Sequence, residues 1–305
     1  MLFKGMVITV PFFLGSVRMD NVSVLNLNAE EEIKCFIEKI FEKDRLRDFF
    51  PNALLREDVL ELLDKYCTVI YYPLKGESNN GFRIKEIPFA DGSQQDFVFI
   101  NTAQAMEKQV FTAAHELGHI WNVDDYIVEK LGLPQTQEQR EMVVNRFAAI
   151  LLMPKDIFTV SARGALDELA DSESKSIRVI DLLKVIAILM NQFFVPMKSV
   201  VLRLVELGFI KNQAADMLLG YRDIPIQEVE DLVEVIITEL GFVKLLKPSN
   251  KKWIEGLSEK LDIAERHSLV SQNKINLLRK KFDLPPKGSA LPGMQEQITL
   301  DTRGG

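Results

Sequence analysis

The chemistry in this 305-residue chain centres on Phe111–Trp121, FTAAHELGHIW, where His115, Glu116 and His119 form the pattern His-Glu-x-x-His. On a helix, residues four apart lie one turn apart on nearly the same face, so His115 and His119 can address one ion. Glu116 is rotated by about 100° from His115, close enough to reach a water on that ion without binding the metal itself. This is the core of zinc-hydrolase chemistry. Two histidines are only two ligands, however, and a catalytic zinc usually takes three from the protein plus water. The chain has three histidines in all, and the last, His267, reads as a surface or helix-end residue. The third ligand has to come from elsewhere.

Past the histidine helix, which the pattern starts near Ala105, comes an acidic connection over residues 122–129. A second helix then runs over Gln135–Met153, ended by Pro154. Asp124, Asp125, Glu129, Glu138 and Glu141 are all candidate ligands. Asp124 and Asp125 fall just past the first helix and read as loop residues, and Glu138 sits nearer the exposed start of the second. Helix geometry favours Glu141, which shares a face with Asn145, Ala148 and Leu152. A carboxylate there can bind zinc while Asn145 holds a ligand histidine by its other ring nitrogen. Gly118 reads as a low-bulk surface near the metal, at a helix cost of about 1 kcal/mol relative to alanine. Zinc would bring the pKa of a bound water down to about 7, and Glu116 would take its proton as general base. A Tyr, His or Arg often adds a second oxyanion donor in zinc peptidases; Tyr126 is nearby in sequence, but the sequence does not locate it.

The elements that must hold these residues are legible as patterns. Ala29–Lys43 carries Ile33, Phe36, Ile37, Ile40 and Phe41 on one stripe, and Leu55–Tyr66 repeats the motif, so both read as amphipathic helices. Cys67–Tyr72 is β-branched and aromatic and reads as a strand ending at Pro73. A turn over 76–80, a short strand around Phe82–Ile84, a turn at 90–93 and a strand over Asp96–Asn101 complete a small antiparallel sheet that feeds the histidine helix. A sheet edge beside such a helix commonly holds an extended peptide by strand addition. Phe97–Asn101 stands equally as that edge or as an ordinary core strand.

Composition narrows the class. The chain is 47% hydrophobic with a net charge of -7, which is ordinary for a globular protein and argues against bulk affinity for nucleic acid. Two cysteines, Cys35 and Cys67, are too few for a disulfide framework and read as reduced thiols. With no export signal evident, the expected compartment is cytoplasmic. Residues 6–17 (MVITVPFFLGSV) are apolar but too short to span a bilayer and interrupted by Pro11. Met19 follows, so residues 1–19 read as a leader or an early-assigned start, with a buried edge strand as the alternative. No other segment is long and apolar enough to cross a membrane.

Beyond Lys155 the pattern is almost wholly helical. Ser174–Met190 and Met197–Leu207, the latter stopped by Gly208, form a helix-turn-helix-like pair. Its second helix offers only Lys198 and Arg203 to a phosphate, against Glu206, so packing on the preceding domain is the preferred reading over DNA binding. Ile226–Leu240 and Lys251–His267 read as further amphipathic helices. The tail over 285–305 is rich in Pro and Gly and reads as disordered.

Three stretches together resemble the ImmA/IrrE-type metallopeptidases. They are Asp96–Asn101 with its Ile-Asn end, Gln109–Thr112 running into His115–His119, and Glu141-x-x-x-Asn145-x-Phe147-Ala148-Ala149-x-Leu151-Leu152-Met153-Pro154. Arg203-Leu204-Val205-Glu206-Leu207-Gly208 extends the likeness, which covers about residues 31–210. Val144 departs from it, standing where that family usually has alanine. The resemblance implies a zincin-like fold, and with the helical pattern beyond it the whole chain reads as α+β: a peptidase domain over 20–155, then a mainly helical half divided as 156–220 and 221–284. It implies zinc held by His115, His119 and Glu141, with Glu116 as base. It further implies cleavage of a protein partner such as a transcriptional repressor, in control of mobile elements or stress responses. The alternative is a non-proteolytic regulator that uses the same fold to bind protein or DNA.

Overall fold

The structure, a computed structural model, describes residues 9–11, 27–52, 54–76, 79–88, 94–169, 176–221 and 225–285. The chain divides into two compact units, Met1–Lys251 and Lys252–Gly305. Of the apolar N-terminal stretch, Thr9–Pro11 form strand β1. The rest of that stretch, the turn expected at 90–93 and the tail over 286–305 lie outside the described residues.

Helix α1 (Leu27–Lys43) buries Ile33, Ile37 and Phe41, spaced by four, and turns Glu31, Lys34, Glu38 and Lys39 outward. That alternation is what makes it a one-faced helix. Helix α2 (Asp58–Asp64) is shorter than its sequence pattern and buries Val59, Leu62 and Leu63. Strands β2 (Thr68–Tyr72), β3 (Gly81–Pro88) and β4 (Gln94–Asn101) then form one sheet in the order β2-β4-β3. Cys35 is exposed and Cys67 buried, and both are free thiols.

The sheet corrects the sequence expectation. It is mixed, because β2 pairs parallel with β4 while β3 pairs antiparallel with it. Strand β4 is inserted between its predecessors, and its continuous apolar run, Val98-Phe99-Ile100, is buried as a central strand requires. Phe97–Asn101 is therefore not an edge; β2 and β3 are, and β3 is the one that lines the histidine cleft. At the end of β4, fully buried Asn101 uses its whole amide. Its Oδ1 accepts from the Leu74 and Ala103 backbone N–H at 2.9 and 3.1 Å, and its Nδ2 donates to the Leu74 and Asn79 carbonyls at 3.2 and 2.9 Å.

Helix α3 (Met106–Ile120) carries the histidines. The acidic connection after it is itself a helix, α4 (Val123–Lys130), entered through Asn122 in the left-handed region at φ 56°. Helix α5 (Gln137–Leu152) starts at Thr136, whose side chain accepts from the Gln139 N–H at 3.2 Å. Then come α6 (Lys155–Leu169), strand β5 (Ser176–Arg178), which pairs antiparallel with β1, α7 (Val179–Phe193), α8 (Met197–Glu206), α9 (Asn212–Leu218) and α10 (Ile226–Glu239). The expected helix from Ser174 begins only at Val179, because residues 176–178 are extended in β5. Helix α7 is buried nearly all round, which accounts for its apolar run. Among the described residues no single helix is long and apolar enough to cross a membrane. In the second unit, α11 (Leu257–Arg266) and α12 (Gln272–Lys281) bury Leu261 and Ile275 and are joined by an Arg279–Asp262 ion pair.

The contact that positions the site is the crossing of α3 and α5. A Cβ on Gly118 would lie 2.8 Å from Phe147 Cδ1 and 3.0 Å from Val144 Cγ1. The glycine thus serves helix approach and not the metal surface. Gly118→Ala gains about 1 kcal/mol of helix propensity but overpacks a filled core, which costs about 1–3 kcal/mol. It should lower the melting temperature, and Val144→Ala in the same chain should recover part of the loss. A Gly118→Ala protein that melts at or above wild type would contradict this account.

Candidate metal centre

The α3–α5 crossing sets the site's distances. His115 and His119 lie one turn apart on α3, and Glu141 faces them from α5. Glu141 Oε2 is 3.3 Å from His115 Nε2, and Glu141 Oε1 is 3.5 Å from His119 Nε2. One donor atom from each residue falls within 4.8 Å of the others, the one such group among the described residues. A tetrahedral ion with bonds of roughly 2.0–2.1 Å has ligand–ligand edges of roughly 3.3–3.4 Å. The two separations, each to a different Glu141 oxygen, lie close to that edge length, and a two-nitrogen, one-carboxylate set suits zinc. The residues present fit the ion.

Each donor is held from behind. His115 Nδ1 lies 3.0 Å from Asn145 Oδ1, one turn along α5 from Glu141. His119 Nδ1 lies 3.5 Å from Asp124 Oδ2. Outward protons on both Nδ1 atoms leave both Nε2 lone pairs turned toward Glu141. Gln137, one turn before Glu141, donates from Nε2 to Glu141 Oε1 at 2.6 Å. Sequence reasoning missed Asp124 and Gln137. Asp124 was read as a loop residue, but it is buried in the first turn of α4. The signal available was a carboxylate five residues after His119, which needs the α3–α4 bend before it means anything. Arg140 also pairs with the neighbouring Asp125.

The other candidates do not converge. Glu129 and Glu138 are exposed and line no part of the cleft. Tyr126 packs its ring on Phe36, with centroids 5.0 Å apart, and so faces α1. Tyr126 is not among the residues that line the cleft. The cleft itself has a volume of about 630 Å³ and is lined by the histidines, Glu116 and Glu141 and, from β3, by Gly81, Phe82, Arg83 and Lys85.

Electrostatics separates the two rings. Burial pushes the His115 pKa down, helped by the His119 charge, and Glu141 and Asn145 only partly oppose it. Burial acts the same way on His119, but the Asp124 hydrogen bond and the charges of Glu141, Asp124 and Glu116 outweigh it, so its pKa is raised. Glu116 is buried, which raises its carboxyl pKa against the opposing charges of His119 and Arg83. A carboxylate shifted toward neutrality is better suited to exchange protons than an ordinary surface glutamate.

With the geometry in hand, the class is an α+β protein with a His/His/Glu centre. Residues 64–204 match the family model described as an IrrE N-terminal-like domain, peptidase family M78. The match covers a little under half of the chain and supports an ImmA/IrrE-type domain within it. A solved structure, described as a Mycobacterium tuberculosis transcriptional regulator, is similar at 16% identity with a TM-score of 0.33, over 59% of this chain. The chain spans 47% of that structure's length. The search of curated proteins found no match.

In the metal-free protein the His119 proton is bound more tightly folded than unfolded. That stabilisation is therefore complete below the unfolded value of about 6.5 and is lost as pH rises through the folded one. Asp124→Asn should lower the His119 pKa in an NMR titration and shrink this pH dependence. It should also weaken zinc affinity by about 10–100-fold. An unchanged His119 titration would remove Asp124 from the site.

Proposed function

We propose that the chain is a zinc-dependent endopeptidase that cuts a specific protein partner. The observation that carries this reading is a buried Glu116 with a raised pKa beside three donors at the spacing of a tetrahedral ion. His115, His119 and Glu141 would hold the zinc, with Asn145, Asp124 and Gln137 fixing their orientation. When bound, the ion supplies a Lewis acid and an acidified water. Glu116 takes a proton from the attacking water as its oxygen bonds to the scissile carbonyl carbon. It then delivers that proton to the amine nitrogen as the C–N bond breaks. The metal is thus needed for polarity and the carboxylate for proton traffic.

The extended substrate would lie along β3, the sheet edge beside the cleft, by strand addition. The match to an IrrE N-terminal-like domain supports a regulatory protein as the partner, and we read it as a transcriptional repressor in the cytoplasm. Direct DNA binding by α8 is disfavoured, since Arg203 is 1% exposed and paired with Glu30 at 2.7 Å. The non-proteolytic alternative gives no role to Glu116, a buried carboxylate that lines the cleft beside the three donors.

His115→Ala should take zinc from about one equivalent to near none, measured by metal analysis. Glu116→Gln should keep its zinc and cut a co-expressed candidate repressor about 10²–10⁴-fold more slowly. Cleavage at the wild-type rate by a zinc-loaded Glu116→Gln protein would sink the mechanism.

A further inference from the structure

The cleft contains a cation that the mechanism above leaves idle. Arg83 lies on β3 two residues after Gly81, hence on the same face of the strand. That face looks onto α3, because a Cβ at Gly81 would come within 2.7 Å of Thr112 Cγ2. Glu116 follows Thr112 by one helical turn, so Arg83 is carried to the level of Glu116. Both line the cleft with His115, His119 and Glu141. Asp96, on the neighbouring strand, lies 3.3 Å from Arg83 Nε, yet that buried N–H is not aligned to donate to it.

The side chain is only 12% exposed, and among the described residues nothing accepts a hydrogen bond from its guanidinium. A guanidinium has five N–H donors. The Nε–H is buried without an aligned acceptor, which is costly, and the less buried Nη donors are open to an arriving ligand with acceptor oxygens. The charge balance selects the kind of acceptor. Asp96 and Glu116 offset the arginine's charge in the free cleft, so what the guanidinium lacks is an acceptor oxygen and not a counter-charge. A neutral amide oxygen that becomes negative only during reaction gains most.

We propose, building on the peptidase reading, that Arg83 is the protein's donor to the scissile carbonyl oxygen, oriented for that task by Asp96. As water adds to the carbonyl carbon, the C=O electron pair moves onto oxygen beside the guanidinium. It returns when the C–N bond breaks and the amine leaves with the proton from Glu116. Arg83 keeps all its own protons throughout. The donor sought near Tyr126 is thus supplied from the sheet edge that also carries the substrate.

The test uses zinc-loaded full-length protein and two probes. One is a pool of phosphinic hexapeptides, whose tetrahedral phosphinyl group imitates the reacting carbon; the other is the matching amide pool. Arg83→Gln should keep its zinc and its melting temperature and bind the phosphinic pool about 100-fold more weakly. Its binding of the amide pool should change little, and Arg83→Lys should recover part of the loss. Asp96→Asn, which leaves the guanidinium in place but unheld, should show a smaller selective loss and serves if Arg83→Gln fails to fold. Phosphinate binding as tight as wild type overturns the proposal, and so does an equal loss for both pools, which would make Arg83 a general substrate holder. Wild-type protein that holds zinc but binds neither pool overturns the peptidase reading itself, a failure visible without any Arg83 variant.

Discussion

Two helices cross closely enough that no side chain fits between them at Gly118, and most of the site follows from that distance. The missing Cβ lets Val144 and Phe147 of α5 press directly on α3. Once the crossing is that tight, Glu141, one turn before this contact, reaches both Nε2 atoms. Asn145 of α5 can then meet His115 from behind. Val144 shows the same constraint from the other side. A β-branched residue at 144 takes up more of the groove than alanine would, so glycine at 118 leaves no slack. A site built this way has its donor spacing set by packing, which is stiff, and not by flexible side chains.

The crossing is in turn braced at both ends. Trp121, one residue past α3, meets Phe41 of α1, Tyr66 after α2 and Phe147 of α5, with ring centroids 6.4, 5.4 and 5.7 Å apart and edge-on geometry in each case. Such pairs add to area burial by about 0.5–1.5 kcal/mol each. On the far side, Arg203 of α8 is held by Glu30 of α1 and by Glu206, and Arg146 of α5 pairs with Glu206 as well. Two arginines and two glutamates nearly cancel in charge. A buried network of this kind is weak evidence for net stability, but breaking one member leaves a charge stranded, so it strongly disfavours misregistered packing. Arg146 is the neighbour of Asn145. The helical half of the first unit is thereby tied to the helix that carries Glu141.

How much of this was legible in the sequence depends on the range over which each feature is determined. The histidine helix and α5 were readable because their periodicity and the stop at Pro154 are local signals. Helix geometry alone put Glu141 and Asn145 on one face, and the structure brings that face to the histidines. What could not be read was pairing. Strand order is decided by which strand buries both faces, so β4 slid into the centre and handed the edge to β3. Asp124 looked like loop decoration because its role exists only after the chain bends at Asn122. Arg203 read as a possible phosphate contact because its partner, Glu30, is far away in the chain. Gly118 was noticed for the right absence of bulk and given the wrong neighbour.

The remaining constraint is charge. Glu116, Glu141 and Asp124 bring three carboxylates around two imidazoles in a partly buried cleft, and without a cation the arrangement works against itself. The two rings respond in opposite directions, His115 toward the neutral form and His119 toward the charged one. Yet Asn145 and Asp124 hold the Nδ1 sides so that both Nε2 atoms can present lone pairs at once, which only a shared electrophile would use. A carboxylate cluster serving merely as a surface would not need two oriented tautomers, nor Gln137 to hold Glu141 in line with them. The backing residues therefore argue for a divalent ion more specifically than the ligand types do. They also set two groups apart in the cleft: the donors His115, His119 and Glu141, each held from behind, and Glu116 with Arg83, which lie outside that set.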